Sequence, residues 1–373
     1  GKCSCRPDYY DNDGTGSNGI CQLKPVLDAT CTAVQNVQVC KDNNAECSIA
    51  GKCSCRPDYY DNDGTGSNGI CQLKVDLGTH CPLPNACKTL NAYCGNSTSN
   101  DINVCVCNTD YYDNNGEVAG GTCINVTNLA VRSVNLSIVT ETSINIFWIA
   151  PADQGGVTFY IVEHATNENF VGGSKQNVGI QTSAILSGLL SGQRYVIKIT
   201  SVNNKTASSL RFIDVIKYQT SKPAMPGALQ QTADIDARSG NITLTWASSA
   251  GVQTEYVGSL ENVTIFQYIQ SFNTSVPSQT FSGVKNGTVY TFTVRAVSRY
   301  LDTSILYSEK YTARIKTRVQ VPNPPRDIVC AEITDRYINL TWRPPENPNG
   351  DIHHYIITVH RTFPNEIMYN LTT

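Results

Sequence analysis

Beyond residue 125 the chain has almost no cysteine: 15 of its 16 Cys lie in the first 125 residues, and only Cys330 lies outside them. Charge is scarce as well, at 16% of residues, with 28 Lys+Arg against 31 Asp+Glu. A nucleic-acid binder needs a basic field, so this balance excludes that class. No run of about 18 apolar residues occurs, so no membrane-spanning helix is expected. Neither H-E-x-x-H, G-x-S-x-G nor a Walker sequence is present, Arg-Gly-Asp is absent, and there are only 5 His. Once the cysteines are bridged no nucleophile remains for those histidines, so no catalytic constellation, no enzyme and no cofactor are expected. The chain opens on Gly1 without a signal-peptide pattern, and a secretion signal is expected upstream of it.

What is present falls into two unlike parts. In the first 125 residues Cys reaches 12%, a density that marks a disulfide scaffold folded in an oxidising compartment outside the cytosol. Residues 1–24 recur letter for letter as residues 51–74, so the chain starts inside a repeat. One unit carries Cys31, Cys40, Cys47, Cys53, Cys55 and Cys71, with gaps of 8, 6, 5, 1 and 15 residues. The next carries Cys81, Cys87, Cys94, Cys105, Cys107 and Cys123, with gaps of 5, 6, 10, 1 and 15. The opening partial unit keeps Cys3, Cys5 and Cys21. Each copy has an Asp-Tyr-Tyr-Asp turn between its last two cysteines: Tyr9 and Tyr10, Tyr59 and Tyr60, Tyr111 and Tyr112. Units of this size bury too little apolar surface to fold alone, and bridges worth about 2–4 kcal/mol each supply the remainder. Six cysteines permit 15 connectivities by sequence alone. Zinc is disfavoured, because the spacing is not paired C-x-x-C and His80 is the one nearby imidazole.

The six-Cys pattern with C-x-C as fourth and fifth resembles EGF-like modules or their EB-type relatives. The resemblance implies pairing of first with third, second with fourth and fifth with sixth. That means Cys31 with Cys47, Cys40 with Cys53, Cys55 with Cys71, Cys81 with Cys94, Cys87 with Cys105 and Cys107 with Cys123, and Cys5 with Cys21 in the partial unit.

From residue 126 the pattern becomes alternating strands separated by Gly, Pro and Asn turns. Trp148, Trp246 and Trp342 recur at separations of 98 and 96 residues, each after apolar residues two and four positions earlier. Period-two alternation turns each Trp toward a core. Tyr195 follows Leu189, and Tyr290 follows Val284, at the spacing of the corner tyrosine of an Ig-like sandwich. With Pro151, Pro344 and Pro345 after the tryptophans, and NPNGDIHHYIITV at 347–359, this part is similar to fibronectin type III modules.

The expected fold is therefore mainly β, with small disulfide-rich EGF-like modules followed by tandem Ig-like (fibronectin type III) β-sandwiches. The expected boundaries are 1–24 (partial EGF-like), 25–74 and 75–125 (EGF-like), then 126–221, 222–320 and 321–373 (type III). The last of these has strands A to C without a corner tyrosine, so the chain reads as an internal fragment.

Candidate sites are few. Gly14, Gly16 and Gly19, repeated at Gly64, Gly66 and Gly69, fit G-x-G-x-x-G, but a loop clamped between cysteines has no helix to meet a phosphate. Asp11, Asp13 and Thr15, repeated at Asp61, Asp63 and Thr65, have the early spacing of a calcium loop. Gln22 or Gln72 stands where the bidentate Glu belongs, which leaves room for weak Ca2+ binding at most. His354 and His360 fall on the outer face of a strand. Cys330 is expected to be buried, or bridged to a cysteine beyond residue 373. Sequons occur at Asn96, Asn125, Asn135, Asn204, Asn241, Asn262, Asn273, Asn286, Asn339 and Asn370, and several are expected to carry glycans. Leu301-Asp302-Thr303 is expected in the loop between the last two strands of its module, and resembles integrin-binding Leu-Asp-Thr and Leu-Asp-Val motifs.

EGF-like units before type III modules resemble tenascins. The same modules resemble ectodomains of receptor-type protein tyrosine phosphatases and Tie-like receptor kinases. The expected function is extracellular adhesion or recognition, with cell-surface or matrix proteins and glycans as partners. The alternatives are the ectodomain of a receptor phosphatase or kinase, and a structural spacer.

Overall fold

The computed structural model describes residues 4–15, 19–35, 37–66, 69–96, 103–116, 120–205, 210–265, 267–362 and 365–372. Among them the chain is nearly all-β, with 3-10 turns at Val126–Leu129 and Gln154–Gly156. No helix among them is long and apolar enough to cross a membrane.

The Cys-rich part is a string of antiparallel hairpins: β1 (Tyr9–Asp11) with β2 (Cys21–Leu23), β3 (Ala45–Cys47) with β4 (Cys53–Cys55), and β5 (Tyr59–Asp61) with β6 (Cys71–Leu73). β7 (Ala92–Asn96) pairs β8 (Asn103–Cys107), and β9 (Tyr111–Asp113) pairs β10 (Cys123–Asn125). Strands of three to five residues bury little, and the cross-links make up for a small core. Cys5 is bonded to Cys21, Cys31 to Cys47, Cys40 to Cys53, Cys55 to Cys71, Cys81 to Cys94, Cys87 to Cys105, and Cys107 to Cys123. Their Cα–Cα distances of 5.4 to 5.8 Å need no displacement of the backbone. Cys3 lies outside the described residues.

The first sandwich has seven strands. One sheet is β11 (Arg132–Val139), β12 (Ser143–Ile149) and β15 (Ser183–Ser187); the other runs β14 (Ser174–Gly179), β13 (Phe159–Ala165), β16 (Arg194–Asn203), β17 (Arg211–Thr220). Alternation along β12 buries Ile144, Ile146 and Trp148 and turns Asn145, Phe147 and Ile149 away from the core. Trp148 meets Tyr160 of the opposite sheet edge-on at 5.5 Å, a geometry the ring quadrupoles favour. The Tyr195 hydroxyl accepts from the Leu190 N–H at 2.8 Å and closes the corner.

The second sandwich repeats the plan. β18 (Asn241–Thr245) pairs β21 (Ser278–Ser282). The facing sheet joins β20 (Gln267–Thr274), β19 (Glu255–Asn262) and β22 (Val289–Ser298), with β23 (Leu306–Tyr307) and β24 (Tyr311–Lys316) both on β22. Trp246 meets Tyr256 edge-on at 5.5 Å, and the Tyr290 hydroxyl accepts from the Lys285 N–H at 2.8 Å.

The C-terminal segment is two hairpins, β25 (Arg326–Ile333) with β26 (Ile338–Arg343) and β27 (Ile356–Thr362) with β28 (Asn365–Thr372). Trp342 meets Tyr355 at 5.4 Å, the same pairing in a segment where β25 is exposed along its whole length. Cys330 corrects the expectation of a buried thiol. It lies on β25 opposite Leu340, and among the described residues it is free and exposed.

Candidate functional site: the joints between modules and the faces they leave open

The second tyrosine of each Asp-Tyr-Tyr-Asp turn is buried, and it is buried in the following module. Tyr10 packs with Leu27, Val39, Ala45 and the cysteines of the next unit. Tyr60 packs with Leu77, Ala86, Cys81 and Cys87 of the unit after it. In both copies the hydroxyl stays at home, donating to Gln22 at 2.8 Å or Gln72 at 2.9 Å.

In the third copy Ile124 stands where the others have Gln22 and Gln72, and it offers no acceptor. The Tyr112 hydroxyl instead donates to the Asp153 carboxylate of the first sandwich. Gly156 lets the ring approach, since a Cβ there would lie 2.8 Å from it. Arg211 Nε donates to the Tyr111 carbonyl at 2.9 Å and Lys205 Nζ to the Asn114 carbonyl at 2.9 Å. Burial, and then the charge and hydrogen bond of Asp153, hold the Tyr112 phenol well above its usual pKa.

The two sandwiches meet through a hydroxyl-rich seam. Ser191 Oγ donates to the Ala250 carbonyl at 2.8 Å, the Val252 N–H to the Ser191 carbonyl at 2.8 Å, and Ser298 Oγ to the Gly192 carbonyl at 3.2 Å. Gly192, at φ +70°, is required here, because a Cβ would sit 1.7 Å from the Val252 carbonyl oxygen. At the rim Lys222 pairs with Glu309 at 2.5 Å and Thr220 Oγ1 lies 2.8 Å from Thr303 Oγ1. Arg194 Nε lies 2.9 Å from each oxygen of Asp302, and its Nη2 closes a second contact. Arg194 holds the Asp302 carboxyl below the usual carboxylate range.

The loop expected to present Leu301-Asp302-Thr303 at a tip is thus folded onto the neighbouring sandwich. Leu301 is fully exposed, while Asp302 and Thr303 are committed to Arg194 and Thr220. Asp13 and Asp63 turn their carboxylates onto Thr15 and Thr65 in their own loops, and those hydrogen bonds lower both pKa values. His354 and His360 are exposed. Among the described residues the side-chain groups close enough to hold a metal are Cys31/Cys40/Cys53 and Cys81/Cys87/Cys105, and all six are in disulfides.

Of the sequon asparagines, Asn135, Asn204, Asn241, Asn273 and Asn339 are exposed, and Asn125 and Asn286 are half-buried. Asn262 is buried, and its side-chain oxygen accepts from the Thr264 and Ile265 N–H groups, which leaves little room for a glycan. The side chains at Asn96 and Asn370 lie outside the described set. The joint contacts of Tyr112 and Arg194 carry no sequence motif. A signal for the first did exist, in the loss of Gln at position 124.

Residues 129–212 match the family model for the fibronectin type III domain. The first sandwich is a fibronectin type III domain. Human phosphatidylinositol phosphatase PTPRQ is 25% identical over 245 residues, 64% of this chain and 10% of its own length. Rat ephrin type-A receptor 5 is 26% identical over 212 residues, 52% of this chain and 21% of its own. Drosophila tyrosine-protein phosphatase Lar is 26% identical over 246 residues, 61% and 11%. This chain therefore spans between a tenth and about a fifth of the length of these relatives. A solved two-domain fibronectin type III segment from chicken tenascin covers 50% of the chain at 19% identity, with a TM-score of only 0.34. Type III sandwiches beside a disulfide-held region point to an extracellular segment.

Proposed function

We propose that this segment is a jointed stalk, EGF-like or EB-type at its start and fibronectin type III after it. In this reading it holds recognition surfaces clear of their anchorage, is N-glycosylated, and binds cell-surface or matrix proteins and glycans. The observation that carries it is the way modules are joined: Tyr112 is sunk into the next module, and Arg194 grips Asp302 across the following seam. Such contacts fix the angle between neighbours, and fixed angles matter to a protein that presents faces at a distance. Secreted, multimerised chain is expected to bind intact cells saturably, with protease or glycosidase treatment of the cells dividing protein from glycan ligands. No saturable binding to cells or matrix would leave the spacer reading.

Recognition of integrin type through Leu301-Asp302-Thr303 takes a conditional form in this proposal, because the Asp302 carboxylate must leave Arg194 before it can complete a receptor's metal site. Arg194→Ala should then raise attachment of integrin-bearing cells, and Asp302→Ala should abolish it.

A second reading is favoured by the relatives named as a receptor and as phosphatases. In it the parent is a receptor tyrosine phosphatase or kinase. Sequencing the full transcript decides it: a membrane span followed by a kinase or phosphatase domain supports the reading, and further extracellular modules ending without one exclude it.

A further inference from the structure

The outer face of the sheet formed by β11, β12 and β15 carries three large apolar side chains open to water among Asn and Ser residues. Phe147 is 42% exposed, Ile149 51% and Ile185 61%, all on that face. The equivalent face of the second sandwich is polar. There Thr243 Oγ1 meets Thr280 Oγ1 at 2.8 Å and Thr245 Oγ1 meets Ser278 Oγ at 3.3 Å. One plan, built twice in one chain, thus leaves one ring and two isoleucines outward among the serines of the first copy, where the second copy has threonine and serine pairs.

The cross-strand register supplies the occupant. Asn135, of the sequon Asn135-Leu136-Ser137, is paired directly with Phe147, and Phe147 in turn with Ser183. Ile185 is paired with Asn145, two residues along β12 and therefore on the same face as Phe147. Directly opposed residues have Cβ atoms about 5 Å apart, and the strands lie about 4.8 Å apart. A sugar attached to Asn135 therefore starts one strand from the ring and has the small Ser183 beyond it. In the second sandwich Asn241 opposes Ser282, and in the last segment Asn339 opposes Glu332, so neither has a ring to rest on.

We infer that Asn135 carries an N-linked glycan whose first N-acetylglucosamine lies on Phe147, and that this glycan is what covers the three apolar side chains. The inference rests on the reading of the chain as a secreted glycoprotein. In the modification, Asn135 Nδ2 forms a bond to the anomeric carbon of a lipid-pyrophosphate-linked oligosaccharide. The lipid pyrophosphate leaves with the electrons of the broken C–O bond, and the amide gives up one proton. The remaining N–H can keep the bond that Nδ2 now donates to the Ser133 carbonyl at 2.7 Å. One face of N-acetylglucosamine presents axial C–H groups, which carry partial positive charge and suit the negative face of an aromatic ring. The small, exposed Ser183 side chain leaves space above the neighbouring strand, and Ile185 and Ile149 flank the ring.

The test uses the whole chain secreted from glycosylating cells, with site occupancy by glycopeptide mass spectrometry and local opening by hydrogen exchange of peptide 143–149. Ser137→Ala removes the sequon and leaves Asn135 in place. The expected result is full occupancy of Asn135 and exchange roughly threefold to tenfold faster in Ser137→Ala, the size of an aromatic contact. In a Phe147→Leu background, which keeps the bulk and removes the ring, the same loss of glycan should change exchange little. Removal of the Asn241 glycan should not alter exchange of 241–245. Occupied Asn135 with unchanged exchange overturns the inference and leaves the face to a protein partner or a second copy. Asn135 unoccupied while other sequons are glycosylated overturns it and spares the glycoprotein reading; no occupied sequon at all removes both.

Discussion

The Cys-rich units and the sandwiches bury aromatic residues in opposite ways. A sandwich keeps its own: Trp148 on Tyr160 and Trp246 on Tyr256 lie inside the module whose chain supplies them. A Cys-rich unit gives its tyrosine away, since Tyr10 and Tyr60 complete the cluster of the next unit, and Tyr112 docks on a sandwich. The difference follows from size. A sandwich has enough strands for two sheets to face each other, while a unit with strands of three to five residues has no second layer and must borrow one. Disulfides hold each unit's loops together, and the borrowed tyrosine ties each unit to the next. Stability in the first third of the molecule is thus shared across boundaries, and in the middle it belongs to each module.

Reduction should break the comparison most completely. Each bridge is worth about 2–4 kcal/mol, so dithiothreitol should unfold the region before residue 125 while both tryptophan-centred sandwiches persist. Hydrogen exchange by region would read this directly, and loss of protection in both halves together would mean that the sandwiches depend on the Cys-rich string. Next in size is Tyr60→Ala, expected to cost about 3 kcal/mol or more, as large-to-small changes in buried aromatics do. The loss should appear in residues 75–107, the following unit, and not in the hairpin that contains Tyr60. Damage confined to residues 51–74 would show that the tyrosine serves its own unit.

Much of this was legible in the residues, for identifiable reasons. Period two around each Trp and the six-residue interval to Tyr195 and Tyr290 are local constraints that the backbone imposes, and they read through to the two-sheet plan. The Trp–Tyr contact across sheets was not legible, because strand pairing places Tyr160 and Tyr256 without any fixed spacing from the tryptophans. The seam was hidden for the same reason: Arg194 and Asp302 are 108 positions apart, and nothing local marks either as a partner. The motif at Leu301 was visible, but the surroundings of its carboxylate were not. Cys330 went astray because alternation identifies the inward face of a strand and says nothing of whether another sheet covers it.

Tyr112 sharpens the comparison at the boundary itself. Tyr112→Phe removes a hydrogen bond to a carboxylate, worth about 1.5–3 kcal/mol, and keeps the ring. The first sandwich should melt unchanged while its contact with the Cys-rich string opens more often. Because burial and Asp153 hold the phenol above its usual value, the docked state favours the protonated form. The contribution is therefore full below about pH 10 and declines above it, as the undocked phenol ionises first. Interdomain opening, read by energy transfer between labels on the two modules, should rise with alkali in the wild type and stay flat in Tyr112→Phe.

The smallest effect is expected at the seam between the sandwiches, where Asp302 is open to water and solvent screens the pair. Arg194 holds the Asp302 carboxyl below its ordinary range, so the latch is present above about pH 4 and is lost as acid protonates the carboxylate below that. The buried hydroxyl seam of Ser191 and Ser298 contains no acid and should not titrate with it. Acid should therefore loosen the rim and widen the distribution of angles without separating the modules. Energy transfer between labels on the two sandwiches would show a broadened distance below pH 4, and Arg194→Ala combined with Lys222→Ala, which removes the cation of each rim pair, should show the same breadth at every pH. An unchanged distribution in that double variant would mean that the hydroxyl seam alone sets the angle, and that the rim pairs are ordinary surface contacts.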